Sequence, residues 1–172
     1  LRHRRRRTRL RLNRIQGYIH RAIQVMDPVR LAVLKFRQAG VSTFFILWWL
    51  DDTIFRKNTI TGILADRRES LTYLFEIVRY AHQEMGQLRP RLKDDSKNTL
   101  SFPDVNSKIM VSLNLTSTPV HNLHISEWAL CKDAAVRSTL AAAPPWANIT
   151  GETVANGIGN DFFETYTEAK RG

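Results

Sequence analysis

The sequence predicts an α/β protein whose largely parallel central sheet is covered by helices on both faces. Short apolar, β-branched runs alternate with longer stretches at helical spacing, which is how strand–helix–strand crossovers read. An apolar run from Leu31 to Leu34 passes through a turn at Gly40 into a second one, Phe44 to Leu50, so a strand is joined tightly to a helix. The 172 residues contain no internal repeat and no linker, which makes one compact domain with a real core.

Taken in order, Arg14 to Val25 reads as a helix closed by the Asp27-Pro28 turn, and Leu31 to Phe36 as the first core strand. Ser42 to Phe55 is the helix after the Gly40 turn. Thr59 to Ala65, rich in β-branched residues, is the second strand. Leu71, Leu74, Phe75, Val78 and Ala81 recur at helical spacing, so Glu69 to Met85 is an amphipathic helix. A polar connection follows, from Arg89 to Ser96. Thr99 to Phe102 and Lys108 to Leu113 flank a turn at Pro103-Asp-Val-Asn-Ser and form a hairpin. Asn122 to Ser126 and Ala147 to Thr150 complete the strands, separated by a helix from Ala134 to Ala142 that Pro144-Pro145 stops.

Composition removes several classes of protein. Hydrophobic content of 43% and charged content of 24% are those of an ordinary folded α/β chain. The single cysteine, Cys131, excludes an intramolecular disulfide and a cysteine-rich metal site. No apolar run approaches the roughly 20 residues that cross a bilayer. Charge is uneven: Arg2, Arg4, Arg5, Arg6, Arg7, Arg9, Arg11 and Arg14 supply eight charges against a net +10, so the body is nearly neutral. Residues 1–13 therefore read as a basic, self-repelling arm suited to nucleic-acid phosphates or an acidic partner, and equally to plain solvation.

Three segments carry chemistry. In Lys35-Phe-Arg-Gln-Ala-Gly-Val-Ser-Thr43 a strand, a glycine turn, a hydroxyl pair and a helix start make a phosphate cradle, in which backbone N–H groups and the helix dipole face an anion. Against the pattern GxxxxGK[ST], Lys35 stands at the first glycine and Val41 at the lysine, while Ser42 keeps the magnesium-ligating hydroxyl. The same spacing also describes an ordinary strand–turn–helix corner. Val120 to Trp128 is a short strand ending in Ser126-Glu127, where Glu127 could orient a water. Ala147 to Asn160 is a short strand running into a Gly/Asn-rich turn.

In this order and spacing, the three segments resemble the ATPase domain of the large terminase subunit of tailed bacteriophages. They correspond to its RQxGhST cradle, its hxhSE acid and its E-S/T-x-A-N-G coupling segment. Leu12-Asn-Arg-Ile-Gln16 resembles the same family's adenine-reading glutamine segment, a task that suits an amide able to donate and accept at once. The resemblance covers Arg11 to Tyr166 and implies a P-loop NTPase fold of the ASCE type, a three-layer sandwich spanning residues 14–172. It implies ATP and Mg2+ as ligands. Gln16, Lys35, Arg37, Gln38, Ala39, Gly40, Val41, Ser42 and Thr43 would bind the nucleotide. Glu127 would position water, and Arg37, with Lys35 in reserve, would replace the missing lysine. The metal would rest on Ser42 and weakly on Ser126, which lacks an aspartate's charge. Thr153 and Asn156 would sense the γ-phosphate and couple it to motion.

As a whole protein, the resemblance implies a motor that drives double-stranded viral DNA into a procapsid. Its partners would be a portal protein, a small terminase subunit and further copies in a ring, in the host cytoplasm and away from membranes. A ring motor commonly lends an arginine to its neighbour. Leu115 to Pro119 offers none, which leaves Arg67 and Arg68. The carboxylate cluster of an RNase H-like nuclease domain is missing, since Asp94-Asp95 and Asp161 stand apart, and a chain that begins with Leu1 instead of methionine reads as a fragment or an incomplete gene product. Two other readings stay open: a helicase-like nucleic-acid ATPase, and a catalytically weak fragment that binds DNA or a partner protein.

Overall fold

The computed structural model describes residues 11–116 and 118–171. Of the arginine arm only Arg11 lies among them with Arg14, so the arm expected over residues 1–13 falls almost wholly outside the described residues.

Among the described residues, five α-helices and seven strands make up the fold: α1 (Arg14–Ile23), β1 (Arg30–Leu34), α2 (Val41–Phe55), β2 (Ile60–Leu64), α3 (Arg68–Gln83), β3 (Asp94–Asp95), β4 (Thr99–Phe102), β5 (Ser107–Ser112), β6 (Asn122–Ser126), α4 (Asp133–Ala142), β7 (Asn148–Thr153) and α5 (Asp161–Arg171). They build one sheet in the order β1-β7-β6-β2-β5-β4-β3. Strands β1, β7, β6, β2 and β5 run parallel; β4 and β3 add an antiparallel edge.

Each face of the sheet buries a different set of side chains because strand residues alternate. Ile63, Ile109 and Val111 meet Ile46, Leu50, Ile54, Leu74, Phe75 and Val78 of α2 and α3. Leu64, Leu123, Ile125 and Ile149 meet Trp128, Val136 and Phe162 on the other side, under α4 and α5. Helix α2 is apolar over most of its surface, with Asp51 and Phe55 left exposed, because it packs against several neighbours. One side lies on the sheet and the others touch α3 and α1, through Ile19, Ile23, Phe44, Phe45 and Trp49. The predicted three-layer α/β fold is thus present.

The last strand in the chain, β7, is inserted between β1 and β6. The crossover from β1 through α2 runs over one face, and that from β6 through α4 over the other. Such a reversal opens a crevice at the carboxyl ends of the strands, where open α/β sheets take ligands.

Three elements differ from the sequence reading. Strand β7 continues to Thr153, three residues beyond the expected end at Thr150. Gly151 does not end it; a Cβ there would overlap the Trp128 ring, so the glycine permits close packing inside the strand. The Arg89–Ser96 connection contains β3, paired with β4. Helix α5 was not expected, although Asn160 caps it through its side chain to the Phe163 N–H, with Phe162 and Tyr166 stacked one turn apart.

Candidate functional site

The turn between β1 and α2 presents a row of unused donors. None of the backbone N–H groups from Gln38 to Thr43 donates a hydrogen bond within the described residues, and α2 starts without a side-chain cap. Their direction has a local cause. Asn13 Nδ2 donates to the Ala39 carbonyl at 3.1 Å, and Gln16 Nε2 to the Gly40 carbonyl at 2.8 Å. In a trans peptide the N–H points opposite to the C=O, so anchoring those carbonyls on α1 turns the N–H groups of Gly40 and Val41 away from it. Gln38 and Gly40 both have positive φ, 62° and 72°. At Gly40 a side chain is excluded twice, by the backbone and by Gln16 Nε2, 2.9 Å from where a Cβ would sit.

One cation stands beside this row. Lys35 follows Leu31 and Val33 at the alternation of β1, and its N–H still bonds the Thr153 carbonyl at 2.9 Å. Its ammonium lies 2.7 Å from Glu127 Oε1 and 2.9 Å from Glu152 Oε2, with the lysine side chain only 7% exposed. Burial works against the Lys35 charge, but the hydrogen bond to Glu127 and the charge of Glu152 outweigh it and hold the pKa above the ordinary lysine value.

Glu152 is the functional candidate that reading the sequence missed. It is fully buried in β7 and lies directly across from Ser126 of β6 in the parallel ladder. Ser126 Oγ donates to Glu152 Oε1 at 3.0 Å. Glu152 Oε2, although close to Lys35, has no well-directed hydrogen bond. Beneath the pair, His124 Nδ1 meets Thr150 Oγ1 at 3.1 Å, and its Nε2 has no hydrogen bond partner and lies 3.9 Å from Glu152. Burial, opposed by the Thr150 bond and reinforced by the Lys35 charge, pushes the His124 pKa down to about 3, so the ring is neutral.

Glu127 ends β6 in the left-handed region, at φ 50° and ψ 50°. That conformation costs a non-glycine residue roughly 1 kcal/mol and occurs most often where function demands it. It swings the carboxylate back over the strand ends, where Oε2 also accepts from the Val154 N–H at 3.4 Å. The next turn is gripped from the end of β7 and just beyond it. Thr153 Oγ1 accepts from the Ala129 N–H at 3.3 Å, and Asn156 Nδ2 donates to the Ala129 carbonyl at 2.9 Å.

The residues singled out in the sequence therefore divide. Gln16 braces the 38–43 turn through Gly40, while Lys35, Glu127 and Ser126 are tied together, Ser126 through Glu152, at the carboxyl ends of the strands. Ser42 is half-buried at the start of α2, with its hydroxyl free of partners within the described residues. Arg37 is exposed and touches neither carboxylate; Lys35 does. Thr153 and Asn156 clamp the turn behind Glu127, on the opposite face of the sheet from Glu152. Arg67 and Arg68 lie away from the cradle, at the end of β2, lining a cavity of about 560 Å3 with Asp66 and Lys132.

Lys35 just past β1, the six unbonded amides around the start of α2 and Glu127 after β6 are thus carried on a β1-β7-β6 core. The whole fold has solved counterparts. The ATPase domain of the Thermus phage P74-26 large terminase superposes with a TM-score of 0.68, at 15% identity, over 90% of this chain and 68% of that one. The fold is that of a phage large-terminase ATPase domain. The HK97 bacteriophage large terminase matches with a TM-score of 0.69 and 15% identity, over 94% of this chain. The large terminase of a thermophilic bacteriophage, in complex with ATP-γ-S, matches at 0.56 and 15% identity, over 81%. The chain spans only 38% and 36% of those two terminases. No protein-family model and no curated protein matches this sequence. Among the described residues no helix is long and apolar enough to cross a membrane.

Proposed function

We propose that this terminase-type fold binds ATP in the crevice between β1 and β6 and hydrolyses it to drive double-stranded DNA. The observation that carries the reading is the Lys35–Glu127 ion pair across the strand ends, with Lys35 leading in the chain to six amides, Gln38 to Thr43, that donate no hydrogen bond within the described residues. Phosphoryl transfer to water needs positioning and charge more than covalent help. The amides and the α2 dipole hold the phosphates. Lys35 takes the place of the lysine missing at Val41, with Arg37 at the rim as the second cation. Gln16 keeps one amide proton and one lone pair beyond its bonds to Gly40 and Asn13, enough to read an adenine edge. Glu127 orients the attacking water, and the grip of Thr153 and Asn156 on Ala129 passes its movement to β7 and beyond.

The oxygen donors at the site suit Mg2+: the free Ser42 hydroxyl, the Ser126 hydroxyl, and a buried carboxylate oxygen without a directed hydrogen bond. When bound, the metal would neutralise charge on the phosphates. Lys35 and Glu127 share a short ion pair, so lysine and glutamate must part before both can act. ATP-γ-S and ADP complexes of the thermophilic bacteriophage terminase support nucleotide binding by this fold. Ring assembly, the portal, the small subunit and the host cytoplasm are proposed with the DNA-packaging role. Ser126, without an acid's charge, favours the second reading, a slow hydrolase that chiefly binds DNA or a partner.

The deciding experiment is DNA-stimulated ATP hydrolysis by the parent and Glu127→Gln, with nucleotide affinity measured alongside. Turnover should fall by roughly 10²-fold or more while affinity stays within a few-fold. Hydrolysis by Glu127→Gln at the parent rate would remove the reading's catalytic residue.

A further inference from the structure

We infer that the acid of this nucleotide site has moved one strand sideways, from position 126 of β6 to Glu152 of β7, which serves as the metal-side carboxylate. The inference rests on the ATP-binding reading above and deepens it, giving its buried carboxylate a defined role.

Three observations carry it. Ser126 and Glu152 are partners in the β6–β7 register, so their side chains leave the same face at the same height, one strand spacing apart. Ser126 gives its hydroxyl proton to Glu152 Oε1, so the serine supports the carboxylate it faces instead of acting alone. Glu152 Oε2 is fully buried, near Lys35, without a directed hydrogen bond. A buried carboxylate oxygen left in that state is costly. A nearby cation compensates for it, and Lys35 is the only one in reach among the described residues. The opposite neighbour, His124, is neutral and offers no charge.

The arrangement implies an exchange. Without nucleotide, Lys35 lies between Glu152 and Glu127. As Lys35 turns to the phosphates, Glu152 Oε2 is released at the floor of the site, where it can accept hydrogen bonds from water around a divalent cation. Nothing is transferred covalently. A purely structural Glu152 would stabilise Lys35 and do nothing for metal, and the two roles predict opposite signs.

The test follows binding of a fluorescent N-methylanthraniloyl ATP to the full chain, with and without Mg2+, for the parent, Glu152→Gln and the exchanged pair Ser126→Asp/Glu152→Gln. In Glu152→Gln, metal-free binding should hold or tighten, because a negative charge is lost. The Mg2+ concentration that promotes binding should rise about 10-fold or more, the usual cost of losing a carboxylate that supports a metal. The exchanged pair should return that midpoint to within about 3-fold of the parent, since outer-shell support depends on the acid and not on its strand. An unchanged Mg2+ midpoint in Glu152→Gln overturns the inference while leaving ATP binding intact. So does a midpoint that the exchanged pair fails to restore, which also decides the matter if Glu152→Gln alone does not fold. A parent that binds no nucleotide overturns the ATP reading, and this inference with it.

Discussion

Strands β6 and β7 carry buried polar side chains at both ends, but the two ends are built differently. At the amino end, Asn148 Nδ2 donates to Asn122 Oδ1, and Asn122 Nδ2 donates in turn to Asp52 and Thr61. Asn148 Oδ1 accepts from the Val29 N–H, and the network closes. At the carboxyl end, His124 Nε2 lacks a hydrogen bond, Glu152 Oε2 has only the Lys35 ion pair, Glu127 is held in a left-handed conformation, and the six amides from Gln38 to Thr43 donate no hydrogen bond within the described residues. A closed polar network specifies strand register and asks for nothing more; an open one, retained against its cost, marks where a ligand completes the structure.

The largest test of this contrast is Lys35→Ala. It leaves Glu127 and Glu152 facing each other without a cation, and should destabilise the fold by roughly 3 kcal/mol, as removal of one partner of a buried pair does. Nucleotide affinity should fall as well. Arg37→Ala, at the exposed rim, should change stability by less than about 0.5 kcal/mol. Urea unfolding and nucleotide titration of the two variants check both points; equal effects would mean that the cations are interchangeable. The sign of the pH dependence follows. Because the folded pKa of Lys35 is raised, its stabilisation is complete below the ordinary lysine value and is lost as pH rises through the higher one.

His124 gives the next largest effect, in acid. Its folded pKa of about 3 lies below the ordinary 6.5, so the unfolded chain binds the proton first. Stability from this group is full above pH 6.5 and is lost as pH falls toward 3, amounting to about 2 kcal/mol by about pH 5. A urea midpoint followed from about pH 7 to about pH 4.5 should fall more steeply in the parent than in His124→Gln. Parallel profiles would show that the histidine is hydrated. Smallest is Asn148→Ala, which opens the closed end. It leaves the Val29 N–H and Asn122 Oδ1 unpaired and should cost about 1–2 kcal/mol, with nucleotide binding unchanged. A loss of binding in that variant would erase the distinction between the two ends.

The sequence made the layers, the parallel strands, the hairpin and the Gly40 turn legible, because alternation and turn chemistry are local. Glu152 fills the first position of the E-S/T-x-A-N-G segment, but its place in a strand across from Ser126 was hidden by Gly151. Next to a glycine and a polar pair the strand seemed finished at Thr150, whereas the glycine exists to admit Trp128, which it meets only when the chain folds. Which of the two cations meets the carboxylates was within reach. Lys35 shares strand parity with Leu31 and Val33, which face α2, while Arg37 lies past the strand end, where parity no longer holds. The braces from Asn13 and Gln16 to the turn could not be foreseen, since they depend on α1 docking 26 and 24 residues away in the chain. Helix α5 carried ordinary signals, the Asn160 cap and the Phe162–Tyr166 spacing, beyond a glycine-rich stretch that obscured its start.

Ala129 has a mechanical consequence. Both of its backbone polar atoms are held by side chains at and just past the end of β7, those of Thr153 and Asn156, and the neighbouring Trp128 indole donates to Asp161 at the start of α5. The turn behind Glu127 is therefore pinned to β7, to the segment after it and to α5. Under the proposed hydrolysis, a shift of that glutamate would find little local slack and would be passed on to α5 as a tilt. The short segment between Glu127 and Cys131 would then work as a bearing, and α5 as the arm that turns on it.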